Sequence, residues 1–132
     1  MSIIYLPIET SKRELIAKTF LATKLASYGH QVIFFESSIF DFAGWPYPGI
    51  YIGKNCFRTE LPYSLNYYKK MKEADIAIWY LDEEGGIYNS MDKVHWSKML
   101  LNRINPCDLD RQDKIFAWGS WQSEAYNVDK LM

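Results

Sequence analysis

Residues 82 to 90 read DEEGGIYNS: Asp82, Glu83 and Glu84, then Gly85 and Gly86, directly after the apolar run 76–81. Three adjacent carboxylates can bind a metal, serve a hydroxyl as base or acceptor, or form a solvated turn. A metal needs carboxylates that converge on one ion, whereas neighbours on an extended segment point to opposite sides. The spacing also fails the calcium-loop pattern, so no metal site is expected. A single acid held at the end of a buried strand, beside a cleft, can orient or deprotonate a hydroxyl, with its pKa tuned by its surroundings. Composition alone favours the turn, because the two glycines admit positive φ. Position at a strand end favours the ligand-facing role and nominates Glu84 and Glu83 as catalytic candidates. With Glu84 toward a ligand, alternation turns Glu83 away and brings Asp82 to Glu84's side.

Two other stretches carry polar side chains at the ends of apolar runs. PIETSKRE supplies Glu9, Thr10, Arg13 and Glu14, and WGSWQ supplies Gly119 and Gln122. At the first, the backbone N–H groups opening a helix can hold an anion with Arg13 nearby; Arg13 and Glu14 as first-turn surface residues remain the alternative. The stretch lacks the glycines of a dinucleotide fingerprint, and no GxxxxGK[ST] occurs, so neither a dinucleotide nor a P-loop nucleotide is expected. At the second, Trp118 and Trp121 could stack on a sugar ring, although burial would explain them equally well. His30 falls at the N-terminal edge of a strand, and His95 follows the acidic loop. Neither forms a Ser-His-Asp or Cys-His arrangement by spacing.

Those stretches are positioned by alternating elements. SIIYLPI reads as a buried parallel strand that leaves the sheet at Pro7. A helix follows, with Thr10 or Ser11 as cap and Glu14 three residues after Ser11, as a capping box requires. Leu15, Ile16, Phe20, Leu21, Leu25 and Ala26 form its apolar stripe, and Gly29 supplies the left-handed stop. HQVIFFES completes a βαβ unit. IYIGK, residues 50–54, reads as a third strand and ELPYSLNYYKKMKEA as a helix with Pro62 in its first turn. DIAIWYLDE is the fourth strand, apolar on both faces and therefore near the sheet centre. MDKVHWSKMLLNRI reads as a helix, KIFAWG as the fifth strand, and SWQSEAYNVDKLM opens a helix. The alternation predicts an α/β doubly wound domain of three layers, with a mostly parallel sheet of about five strands. Ligands of such sheets bind at the C-terminal strand ends, where all three polar stretches lie.

Composition sets the limits. The 132 residues are 48% hydrophobic and 17% aromatic, which suits one domain with its own core and excludes disorder. A net charge of −1 lacks the basic footprint of nucleic-acid binding; YYKKMK, the most basic stretch, reads as a solvated helix face. Cys56 and Cys107, with no CxxC, make neither a disulfide scaffold nor a zinc site. No apolar run reaches the roughly 18 residues of a membrane span, and the N-terminus lacks the layout of a signal peptide. A cytoplasmic protein is expected.

Taken in order, LPIETSKRELIAKTFLATKLASYGHQVIF, PGIYIGK, DEEGGIY and FAWGSWQSEAY resemble the N-terminal domain of bacterial surface carbohydrate biosynthesis proteins, glycosyltransferase-like proteins of capsule and O-antigen clusters. The resemblance spans essentially the whole chain. It implies one Rossmann-like domain over 1–132, the acceptor-side half of a GT-B-type architecture, with the donor-binding second domain absent from this chain. It carries over Glu9, Arg13 and Glu14 from the first motif, Asp82, Glu83, Glu84 and Gly85 from the second, and Gly119 and Gln122 from the third. A sugar or lipid-linked sugar acceptor is the implied partner. A nucleotide-sugar donor is expected only with a second domain, and no other cofactor is. The implied location is the cytoplasm, at the inner face of the membrane. The rival reading is a non-catalytic α/β module that binds a partner protein or a sugar phosphate, with Trp45 and Tyr47 as an exposed contact.

Overall fold

The computed structural model describes residues 1–36, 44–54, 62–81, 92–104 and 109–127. The chain runs β1 (Ile3–Ile8), α1 (Ser11–Ser27), β2 (Gln31–Glu36), β3 (Gly49–Gly53), α2 (Pro62–Glu73), β4 (Ile76–Leu81), α3 (Lys93–Arg103), β5 (Lys114–Phe116) and α4 (Ser120–Tyr126). The five strands form one all-parallel sheet of order β2-β1-β3-β4-β5. This is a Rossmann-like, doubly wound α/β fold, as the alternation predicts. The order reverses between β1 and β3, so the switch point lies there.

Side chains of β1, β3 and β4 alternate between two cores. On one face Tyr5, Tyr51, Ile76, Ile78 and Tyr80 pack with Met71 of α2, Leu100 of α3 and Ala125 of α4. On the other, Ile4, Leu6 and Ile52 pack with Ala22 of α1, flanked by half-buried Leu21 and Leu25. Fully burying one such aliphatic side chain is worth roughly 1.5–3 kcal/mol, so these cores fix the register of the central strands.

Four expectations need correction. Pro7 does not end β1: the strand runs through Ile8, and Pro7 pairs opposite Phe35. A proline costs a strand only its N–H; its carbonyl still accepts, and Pro7 O does so from the ammonium of Lys18. The face that α1 turns inward is Glu14, Lys18, Leu21, Ala22 and Leu25, while Ile16 and Phe20 are 85% and 76% exposed. Apolar spacing misreads this helix because its first two inward positions are a carboxylate and an ammonium that neutralise each other. Strand β4 is interior and adjoins the central β3, but its two faces are not equally covered: Trp79 and Leu81 are only half-buried. Trp45, finally, is not a surface contact. It lies edge-on to Tyr5, Phe35 and Tyr51 at ring distances of 5.0, 5.8 and 5.9 Å. The segment carrying it is tied down by Tyr5 Oη, which donates to Tyr47 O at 2.8 Å and accepts from Tyr47 N at 3.2 Å.

Other readings hold. Gly29 has φ +83 and its N–H donates to Ala26 O at 2.9 Å, closing α1 with a left-handed stop. The basic stretch on α2 is a solvated face: Lys69 and Lys70 are exposed, and Lys72 turns to pair with Asp110 and Asp113. Asp113, whose side chain is fully buried, also accepts from Ile78 N at 2.6 Å, which pins the start of β5 to β4. Among the described residues no helix is long and apolar enough to cross a membrane.

Candidate functional site

The loop after β1 begins with Glu9 and becomes α1 at Ser11. Thr10 takes the N-cap position in extended conformation, and its carbonyl accepts from Arg13 N and Glu14 N, but its side chain makes no cap hydrogen bond. The expected capping box is not formed. Glu14 sits one residue too far along the helix, and its Oε2 reaches back to the N–H of Glu9 at 3.0 Å. Of the first helical residues Arg13 and Glu14 give their N–H groups to Thr10 O, while those of Ser11 and Lys12 precede the first helical hydrogen bond.

Beneath that helix start lies an ionic network. Glu14 is 5% exposed and Lys18 7%. Arg13 Nη2 donates to Glu14 Oε1 at 2.8 Å, and Lys18 Nζ donates to Glu14 Oε2 at 3.1 Å. Lys54, the first residue beyond β3, is also 7% exposed, and its Nζ stands 3.1 Å from Glu9 Oε2. Burial alone would raise the pKa of Glu14; the hydrogen bonds from Arg13, from the Glu9 N–H and from Lys18 outweigh it and hold the carboxyl at about 2. Glu14 is thus ionised across the physiological range. Oε1 is engaged by Arg13 and Oε2 by the Glu9 N–H and Lys18, which makes Glu14 the residue that ties the loop to the helix. Glu9 keeps about a quarter of its side chain in solvent.

The network straddles the β1/β3 switch point, with Glu9 from the β1 end and Lys54 from the β3 end. The cations Arg13, Lys18 and Lys54 meet the carboxylates Glu9 and Glu14 there, beside a helix N-terminus. Next to it, at the ends of β1 and β2, opens a hollow of about 490 Å³ lined by Ile8, Glu9, Ser11, Phe34, Phe35 and Glu36. That volume lies within the usual range for small-molecule sites. Its floor is apolar and its rim carries a hydroxyl and two carboxylates. Such a rim can accept hydrogen bonds from sugar hydroxyls while the floor takes a ring face.

Comparisons with family models, curated proteins and solved structures found no match to the chain. The site has to be read from its own geometry.

Of the residues expected from sequence, Glu9, Thr10, Arg13 and Glu14 converge on one place. Gly119 and Gln122 do not join them: they lie beyond β5, which is separated from β3 by β4. Gln122 is buried, and its Oε1 accepts from Trp118 N at 2.7 Å, so the side chain holds the turn into α4. Gly119 is exposed, with open space where a Cβ would stand. Trp118 and Trp121 are both largely exposed, Trp121 lying edge-on to Trp96 at 6.0 Å. The acidic residues Asp82, Glu83, Glu84 and Gly85 lie outside the described residues. His95 is exposed on α3 and His30 sits at the N-terminal edge before β2, away from the site.

Lys18 and Lys54 were not anticipated. Lys18 had a signal, four residues after Glu14 and so on the same helix face. Lys54 had one in its place at the C-terminal end of a strand, in GKNCF, but that this strand flanks the switch point follows only from the strand order.

Proposed function

We propose that this chain is the acceptor-side domain of a glycosyltransferase-like protein in bacterial surface polysaccharide biosynthesis. It would hold its sugar by an acidic or phosphorylated group at the β1/β3 switch point. The observation that carries the reading is Glu9, whose carboxylate both lines the 490 Å³ hollow and pairs with buried Lys54. The anion is taken by the first N–H groups of α1 and by Arg13, whose guanidinium is half-exposed beside its partner Glu14. Glu9 and Glu36 accept from sugar hydroxyls, and Phe34 offers its ring. The acidic stretch Asp82 to Gly85 follows β4 in the chain; Glu84 or Glu83 would serve the acceptor hydroxyl as base. Transfer itself requires a donor-binding second domain, so residues 1–132 on their own bind without transferring. The same reading puts the protein in the cytoplasm, working at the inner face of the membrane on a lipid-linked acceptor.

The test is titration calorimetry with a sugar phosphate and with its neutral parent sugar. The phosphate is expected to bind and the neutral sugar to bind at least tenfold more weakly. Arg13→Ala removes one charge-assisted contact of about 1.5–3 kcal/mol and should weaken phosphate binding by roughly 10- to 100-fold. Equal affinities for the two sugars, or an Arg13→Ala protein that binds the phosphate as well as the parent, would sink the reading.

A further inference from the structure

A parallel sheet ordinarily has both faces covered, and among the described residues one face is covered over only part of its width. Helix α1 packs on β1 and β2 through Ala22, Leu21 and Leu25. Beyond it on the same face, Ile50, Trp79, Leu81 and Phe116 form an apolar strip across β3, β4 and β5. Among the described residues no helix packs on this strip, because α2, α3 and α4 all lie on the opposite face. Trp79 and Phe116 touch edge-on at 5.9 Å, Lys114 lies over the Trp79 ring at 4.9 Å, and Phe116 is 41% exposed.

The outer line of α1 has the opposite shape and similar chemistry. Ile16, Phe20 and Lys24 follow each other at four-residue spacing and face solvent. A ridge one helix wide therefore stands beside a strip two strand spacings wide. Both measure about 10 Å.

We propose that the occupant of the strip is α1 of a second copy of this chain, in a closed two-fold dimer. A two-fold axis parallel to the strands and lying between two facing sheets leaves each α1 on its own β1 and β2 and lays its outer line on the partner's β3, β4 and β5. An axis across the strands would stack α1 on α1 and leave both strips bare. The charges agree with the first arrangement. Helix α1 runs against the strands, so Lys24 comes near their N-terminal ends. There Asp75 and Gln112 close the foot of the strip beside Trp79, lining a hollow of about 570 Å³. The axis sets Lys24 of each copy over Asp75 of the other. Both sheets keep their C-terminal edges at the same end, so the two candidate sites open in one direction.

Sedimentation velocity on the full chain tests this. At about 100 µM, a weak but specific association predicts a species of twice the 15.5 kDa chain mass. Phe20→Glu and Phe116→Glu, both at solvent-facing positions, should each weaken association at least tenfold with unchanged circular dichroism. An equimolar mixture of the two variants retains one intact helix-on-strip contact and should associate more tightly than either variant alone. A monomer at that concentration overturns the proposal, whether or not it binds lipid vesicles. So does open-ended growth, or a dimer that neither substitution affects.

Discussion

Glu14→Ala is expected to cost about 3–5 kcal/mol of folding stability, because it leaves the buried ammonium of Lys18 without its carboxylate. The Glu9 N–H and Arg13 lose their acceptor in the same step. Replacing both members of the pair, Glu14→Leu with Lys18→Met, removes the stranded charge and should recover much of the loss, as buried ion pairs exchanged for apolar side chains commonly do. Denaturant unfolding of the single and double variants measures both effects. If Glu14→Ala costs less than about 1 kcal/mol, the network is not buried as described.

The same carboxylate gives the protein a defined acid sensitivity. Its folded pKa of about 2 lies below the roughly 4.3 of an unfolded glutamate. The contribution is therefore complete above the unfolded value and is lost as pH falls toward the folded one. Between about pH 5 and pH 2 the loss amounts to about 3 kcal/mol. Glu14→Gln should start less stable at neutral pH and fall less steeply through that window. Equal slopes for the two proteins would mean that other carboxylates govern acid unfolding.

Gly49→Ala is expected to be the other large effect, about 3 kcal/mol and at the upper end for one added methyl group. A Cβ at Gly49 would stand 2.5 Å from Ile3 O and 2.9 Å from the Tyr5 ring. The first contact is with backbone and cannot rotate away, so β3 must separate from β1. Those strands are joined through only two register pairs, Ile4 with Ile50 and Tyr5 with Tyr51. Their separation would also draw Lys54 from Glu9, so sugar-phosphate binding should weaken along with stability. Gly44→Ala is the control: its φ of +69 costs up to about 1 kcal/mol, but no atom stands within 4 Å of the new methyl group. A Gly49→Ala protein no less stable than Gly44→Ala would rule out the tight β1–β3 approach.

Which features could be read from sequence follows from how local their causes are. The runs IIYLPI, VIFF and IAIWYL announce strands through side chains alone, and Gly29 stops α1 through its own backbone. The convergence of Glu9, Thr10, Arg13 and Glu14 was legible because one short loop carries all four. The strand order was not, since pairing joins residues far apart in the chain, and with it the place of Lys54 stayed hidden. The inward face of α1 was misread for a different reason: Glu14 and Lys18 are buried only because each satisfies the other, and a scale that ranks residues one at a time sends both to solvent. Gln122 shows the converse. It was expected at the site from its position after a strand, yet its amide is occupied with the turn at Trp118.

The central claim, an anion-binding sugar site at the β1/β3 switch point, is tested most directly by amide chemical shifts during titration with a sugar phosphate. The account predicts that the largest changes fall on Ser11, Lys12 and Arg13 at the start of α1, with smaller ones at Glu36 and Lys54, and that in Arg13→Ala they need roughly 10- to 100-fold more phosphate. Changes confined to Trp118, Gly119 and Gln122 beyond β5, or none at any concentration of the phosphate, would contradict it.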